Sequence, residues 1–218
     1  MKGLLIKDLK LLLGQKRFYT LVLGLGILFM ITYENPSMGV GYITMLLTIF
    51  TLNTISYDEF DNGFSFLMTL PVTRQIYVME KYILCAICGV VAWIFSLVIC
   101  ICENQYKQAI VVTEDLFIEA VIMLPAVLLV MDMMIPVQLK YGSEKSRVVM
   151  ITIIGIVMVV GIGVKKVVET LDLPLALLFE KLQGITDMQM LIGCIVFTIA
   201  ATMLSLAISV KIINNKEF

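Results

Sequence analysis

Apolar residues run through this chain in blocks long enough to cross a bilayer, separated by short polar interruptions. A hydrocarbon core of roughly 30 Å takes about 20 helical residues. Six runs of that order stand between charges or turn residues, at 18–33, 40–57, 82–102, 116–137, 148–164 and 188–213. The first and fifth are short and need help at their ends. Residues 35–39, Asn-Pro-Ser-Met-Gly, read as a tight turn, and Thr113 reads as an N-cap followed by the acids Glu114 and Asp115. Pro125 predicts a kink in the fourth run. Ala201, Ser205 and Ser209 recur every four residues on the sixth, a ridge of small side chains that lets another helix approach closely. The pattern predicts an all-α polytopic membrane protein, one domain over 1–218, with helices at 18–33, 40–57, 74–102, 114–137, 148–164 and 188–213.

Two segments mix apolar and charged positions. Near the start, Leu5, Ile6, Leu9, Leu12 and Leu13 fall on one helical face while Lys7, Asp8, Lys10 and Gln15 occupy the other. Residues 1–17 therefore read as an amphipathic helix in the cytoplasmic interface, the plainer alternative being a simple anchoring flank. In the insert at 56–82, Asp58, Glu59 and Asp61 start a short helix with acids in its first turn, and Pro71 stops it after Leu70. Thr73 can cap the next helix, which runs through Ile76 and Lys81 into the third span. On the short helix Phe60, Phe64 and Leu67 share one side, with Glu59, Asn62 and Phe66 largely opposite. Further on, Asp172, Pro174 and Gly184 bracket another short helix whose Leu171, Leu175, Leu178 and Leu182 share a face.

Composition narrows the chemistry. Of 218 residues 60% are hydrophobic, and the mean hydropathy is +1.00, well above soluble usage, so no room remains for a separate water-soluble catalytic domain. Histidine is absent, which excludes HExxH metal sites and Ser-His-Asp triads. Cys85 and Cys88 form a CxxC inside an apolar run, read as packing of small side chains, since no second pair stands at zinc-like spacing. Lys7, Asp8 and Lys10 break the first apolar stretch, so it is expected to stay in the mature protein rather than act as a signal peptide. The net charge of −1 with no basic block argues against a nucleic-acid partner. With the N-terminus inside, only Lys107, Lys165, Lys166 and Lys181 of the 16 basic residues fall outside, which places both termini in the cytoplasm. Polar residues within the spans are the candidates for a substrate path. Asn53 reads as an inter-helix hydrogen bond or a substrate contact; Asp132 reads as paired with Lys140 or Arg147, or as facing an inner cavity. Met131, Met133 and Met134 give that region an aliphatic lining, which also suits plain packing.

The order of four segments carries a family resemblance: LIKDLKLLL at 5–13, DNGFSFLMTLPVTRQIYVMEKYIL at 61–84, YGSEKSR at 141–147 and KIINNKEF at 211–218. Together they resemble the ABC-2 type transporter permeases of bacteria over essentially the whole chain. Small size and short outer loops are similar to the permeases of peptide exporters, such as those for phenol-soluble modulins and bacteriocins. The resemblance implies that residues 58–70 are the coupling helix, which docks into a cleft of a cytoplasmic ATPase. Asp58, Glu59, Asp61, Asn62, Gly63 and Phe66 would then face the ATPase, with Phe60, Phe64, Leu67 and Pro71 packing the helix onto the body. It also implies no cofactor in this chain, ATP and magnesium on a partner ATPase present in two copies, and a second permease, identical or homologous, in a bacterial plasma membrane. No Walker motif competes with this: Gly142-Ser-Glu-Lys145-Ser146 has Glu144 where a glycine is required, and the glycine pairs at 24/26 and 161/163 follow no strand. The alternatives are an ion-coupled carrier, whose midplane ionisable residues and repeated broken helices are not evident, and an intramembrane enzyme, for which no nucleophile and base pair up.

Overall fold

The computed structural model describes residues 1–32, 36–60, 63–106, 114–170 and 187–216, which are helical almost throughout and contain no strand. Helix α1 (Lys2–Leu13) turns by 64° into α2 (Lys16–Thr32). Helix α3 (Pro36–Ile49) starts on a proline, whose fixed φ suits a first helical turn, and passes through a 3-10 turn at Phe50–Leu52 into α4 (Asn53–Glu59). Then come α5 (Gly63–Thr69), α6 (Arg74–Tyr106), α7 (Glu114–Thr170) and α8 (Asp187–Asn214).

The tightening at Phe50–Leu52 has a cause in the sequence. Thr44 and Thr48 hydroxyls bond back four residues along their own helix, at 2.7 and 2.6 Å, whereas Thr51 and Thr54 bond back only three, at 2.7 and 2.8 Å. All four are buried, so each hydroxyl takes a backbone carbonyl rather than water. The shorter reach favours the 3-10 geometry there.

Among the described residues four helical stretches are long and apolar enough to cross a membrane, Met38–Glu59, Arg74–Glu103, Ile118–Val160 and Met188–Asn214, and the bent pair α1 with α2 would make a fifth. Two causes separate this from the six runs of the sequence. At 17 residues α2 is about 26 Å long by itself, short of the hydrocarbon core. The stretch Ile118–Val160, 43 residues, would be about 65 Å if straight, and it holds the fourth and fifth runs together. It is broken at Gly142, where φ is 78° and ψ 172°, a conformation open essentially to glycine alone. Asp132 and Pro136 before the break line one cavity with Ile153 beyond it, so α7 folds back on itself as a hairpin. Pro125 and Pro136 both lie within α7, and the break that the sequence reading did not mark is at Gly142. Thr113, Asp61, Asn62 and the helix anticipated over 171–184 lie outside the described residues.

Helix α7 packs most extensively on α8, and α3 on α6. One core gathers Leu4, Ile55, Phe64, Tyr77, Ile135 and Ile213, bringing six helices together at one end of the bundle. Another joins Met30, Val40, Ile43, Cys100 and Ala120 at the opposite end. Lipid is as apolar as leucine, so polar pins and close approach matter more here than hydrophobicity. The Tyr82 hydroxyl lies 2.6 Å from Ser205 Oγ and 2.9 Å from Ser209 Oγ, so the small ridge on α8 meets α6. Trp93 donates to the Ala120 carbonyl at 2.7 Å. A Cβ at Gly26 would collide with Ile43, which accounts for that glycine by the contact of α2 with α3. Cys85, Cys88, Cys100, Cys102 and Cys194 are free thiols.

Candidate functional site

The insert between the second and third apolar runs forms an elbow. Helix α4 ends at Glu59, Phe60 is extended (φ −66°, ψ 139°), and α5 starts only at Gly63. The helix expected over 58–70 is thus two pieces, with Asp58 and Glu59 closing α4 rather than opening α5. This corrects the place of Phe60: the extended residue swings its ring to 72% exposure, away from the face shared by Phe64 and Leu67. Phe64 and Leu67 are buried as expected, and Phe66 is 69% exposed on the other side. The Phe64 ring meets Tyr77 edge to face, centroids 5.0 Å apart. Pro71 is exposed and follows the last turn of α5. Thr73 caps α6 as the sequence predicts: its hydroxyl accepts from Ile76 N at 3.3 Å and its carbonyl from Tyr77 N at 3.1 Å.

Behind the elbow lies a buried ion cluster. Asp58, 5% exposed, accepts from Lys81 Nζ at 2.7 Å and from the Tyr77 hydroxyl at 3.1 Å through Oδ2, and from Lys7 through Oδ1. Lys81 also donates to Asp8 and, at 3.2 Å, to Thr54 Oγ1, while its ammonium stands 5.0 Å from the centre of the Tyr77 ring. Lys7 and Asp8 are paired at 3.0 Å. Glu80 is fully buried 3.8 Å from Lys81 and makes no hydrogen bond among the described residues. Acids at the C-terminal turn of α4 face the negative end of its dipole, and the lysines from α1 and α6 offset that. Burial pulls the Lys7 ammonium down, but its hydrogen bond to Asp58 and the charges of Asp58 and Asp8 outweigh this and leave its pKa raised. Asp58 is therefore turned inward, where the family resemblance had it facing an ATPase.

The sequence reading put Asp8 on the polar face of α1, and the structure corrects this as well. Asp8 is 0% exposed, at the centre of a buried stripe Leu4–Asp8–Leu12, while Ile6, Leu9 and Leu13 are exposed. The four-residue spacing through Leu4 and Leu12 was visible in the sequence. An acid there requires a cation from another element, and Lys81 supplies it.

Glu59 joins the elbow to two further parts of the chain. Its Oε2 accepts from Ser143 N at 2.9 Å, at the first residue past the Gly142 break, and its Oε1 lies 3.4 Å from Lys216 Nζ. Lys216 also donates to the Leu139 carbonyl at 3.1 Å. Arg74, at the start of α6, donates to the last carbonyls of α8, Ile213 at 3.1 Å and Asn214 at 2.8 Å. The elbow, the turn of the α7 hairpin and the end of α8 are thus tied together by charged groups.

Asn53 and Asp132 are not brought together. Asn53 lines a cleft of about 200 Å³ with Ser56, Gln138, Ser143 and Arg147. Gln138 there spans the helices, donating to the Leu52 carbonyl at 3.0 Å and to Ser56 Oγ at 2.9 Å, one of the two roles that the sequence leaves open for Asn53. Asp132 lines the separate cavity between α7 and α8, and no ion pair with Lys140 or Arg147 forms. It accepts instead from Thr202 Oγ1 at 2.7 Å, because α8 packs against that face of α7. Met131 is core, Met133 exposed and Met134 half-buried.

No curated protein and no solved structure matches the chain. A family model described as ABC-2 family transporter protein matches residues 3–214, nearly the full length, and the chain belongs to that family.

Proposed function

We propose that the chain is the membrane-spanning permease subunit of an ATP-driven exporter, carrying amphipathic peptides or other hydrophobic compounds outward with energy from a separate ATPase. One observation carries the reading: an elbow fixed from behind by Phe64 and the Asp58 cluster holds two phenyl rings, Phe60 and Phe66, out in the open. Soluble or membrane, a chain rarely leaves two aromatic rings bare at one tip without a partner to cover them. The covering partner is the ATPase, which holds ATP and magnesium; the complex has two ATPases and a second permease, identical or homologous. Contact with the ATPase falls to Phe60, Phe66 and the segment around Asp61, Asn62 and Gly63, while Asp58 and Glu59 transmit it inward. Six spans follow if α2, α3 with α4, α6, each limb of α7 and α8 cross once. The α1 helix then lies in the cytoplasmic interface, its exposed Ile6, Leu9 and Leu13 toward lipid.

Cysteine accessibility tests the topology. In a cysteine-free background, a probe at Asn62 should label only from the cytoplasmic side and probes within 103–115 and 165–187 only from outside. Labelling of Asn62 from outside overturns the map. Charge reversal tests transmission. Glu59→Lys sets a second cation beside Lys216 and against the backbone N–H of Ser143, so ATP hydrolysis stimulated by the assembled complex should fall while membrane insertion is kept. Normal stimulation and transport by this variant contradict a role for Glu59.

A further inference from the structure

Where α7 turns at Gly142, its two limbs and α4 frame the cleft of about 200 Å³ that Asn53 lines. A wider hollow beside it, about 370 Å³, shares Asn53, Ser56, Ser143 and Arg147. The lining of the cleft is of two kinds. Ile49, Leu52, Met134 and Met150 make an apolar wall. The polar remainder offers donors with nothing to receive them. Arg147, just over one turn past the Gly142 break, makes no ion pair or hydrogen bond among the described residues, and neither does the side-chain amide of Asn53. Ser56 Oγ accepts from Gln138 at 2.9 Å, which leaves its own proton to give. Arg147 is also the one charged residue in the lining of the cleft among the described residues. Glu59 is held by Ser143 N and Lys216 and does not line it, and Glu144 lines only the wider hollow.

We infer that this cleft receives the carboxylate end of an amphipathic cargo on the cytoplasmic side. Arg147 pairs with the carboxylate, Asn53 and Ser56 donate to it, and the adjoining apolar carbons lie on Leu52 and Met150. A bare ion would leave the apolar wall uncovered, and a neutral hydrophobe would strip water from the donors without replacing it. The guanidinium fork matches the two oxygens of a carboxylate, whereas the second charge of a phosphate monoester would find no second cation in the lining. The inference rests on the exporter reading and deepens it by naming the end group of the cargo.

The test uses the full chain in phosphatidylcholine nanodiscs, with no ATPase added. The probe is an amphipathic helical peptide with a photoreactive leucine next to its last residue, made with a free C-terminal carboxylate and again as the C-terminal amide, and labelled sites are located by mass spectrometry. The carboxylate peptide should label the stretches around Asn53 and Met150, and the amide on the order of tenfold less, the worth of a hydrogen bond between charged groups. Arg147→Gln should lower labelling by the carboxylate peptide by about the same factor and leave that by the amide unchanged, with Arg147→Lys in between. Arg147 is exposed, so both variants should melt with the parent. Excess dodecanoate should displace the carboxylate peptide, and acetate or dodecyl phosphate should do so far less. With no ATPase in the sample, a permease that purifies without one fails the proposed function and leaves these outcomes untouched. Absent or equal labelling of the cleft by the two peptides overturns the inference. So does labelling that Arg147→Gln leaves unchanged, or displacement by acetate or dodecyl phosphate as strong as by dodecanoate.

Discussion

Lys81→Ala is expected to destabilise the isolated permease by about 3–5 kcal/mol, read as a fall in the melting temperature of the detergent-solubilised protein. Among the described residues Lys81 is the buried cation that reaches both Asp8 and Asp58, with Glu80 beside it. Removing the ammonium leaves three buried acids against the half-exposed Lys7 alone, and an uncompensated buried charge costs more than the pair contributed. The loss should not be confined to one helix, because the cluster ties α1, α4 and α6 to each other. Neutralising the acids as well, with Asp8→Asn and Asp58→Asn added to Lys81→Met, should recover a large part of it, since an apolar replacement of a whole buried ion group is close to neutral. A melting temperature unchanged by Lys81→Ala would mean that water reaches the cluster and screens it.

Phe64→Ala should cost about as much, roughly 3–5 kcal/mol, and by a different cause. The ring is buried against Tyr77, and its removal opens a cavity beneath α5 that the short helix cannot close without giving up Leu67. The permease alone should therefore melt earlier, with or without its partner. Phe66→Ala removes a ring that touches little of its own chain, so the isolated permease should keep the parent's stability. If Phe66→Ala melts the isolated permease while Phe64→Ala leaves it intact, α5 is rotated by half a turn from the arrangement described.

How much was legible in the sequence follows from these residues. Hydropathy alone carried the membrane class, and order of motifs carried the family. Pro71 and Thr73 marked the elbow because their effects are local: one removes a donor, the other supplies an acceptor. Phe64 and Phe66 were placed correctly because they lie within one uninterrupted helix, where three-to-four-residue spacing holds. Phe60 was misplaced because the helical periodicity was carried across a break at Phe60 that no proline or glycine at that position announces. The ion cluster was missed for a related reason. Asp8, Asp58 and Lys81 are 73 and 23 residues apart in their pairs, and each looks like a solvated charge on its own element. Of the two readings the sequence leaves for Asp132, an inner cavity or a pair with Lys140 or Arg147, the pair does not form; its partner is Thr202, brought by α8, and it lines a cavity. Gly142 enters the sequence reading through the YGSEKSR segment and a failed nucleotide motif, neither of which marks a turn, yet its positive φ is what turns α7.

The elbow's bare rings, in the proposed function, receive a nucleotide-hydrolysing subunit. Affinity purification of the permease from its native membrane, parent beside a Phe60→Ala/Phe66→Ala double variant, tests this most directly when melting temperature is taken on the same samples. An ATPase subunit is expected with the parent and not with the double variant, at equal melting temperature. Recovery of the parent with no such subunit, or equal retention by both proteins, would contradict it.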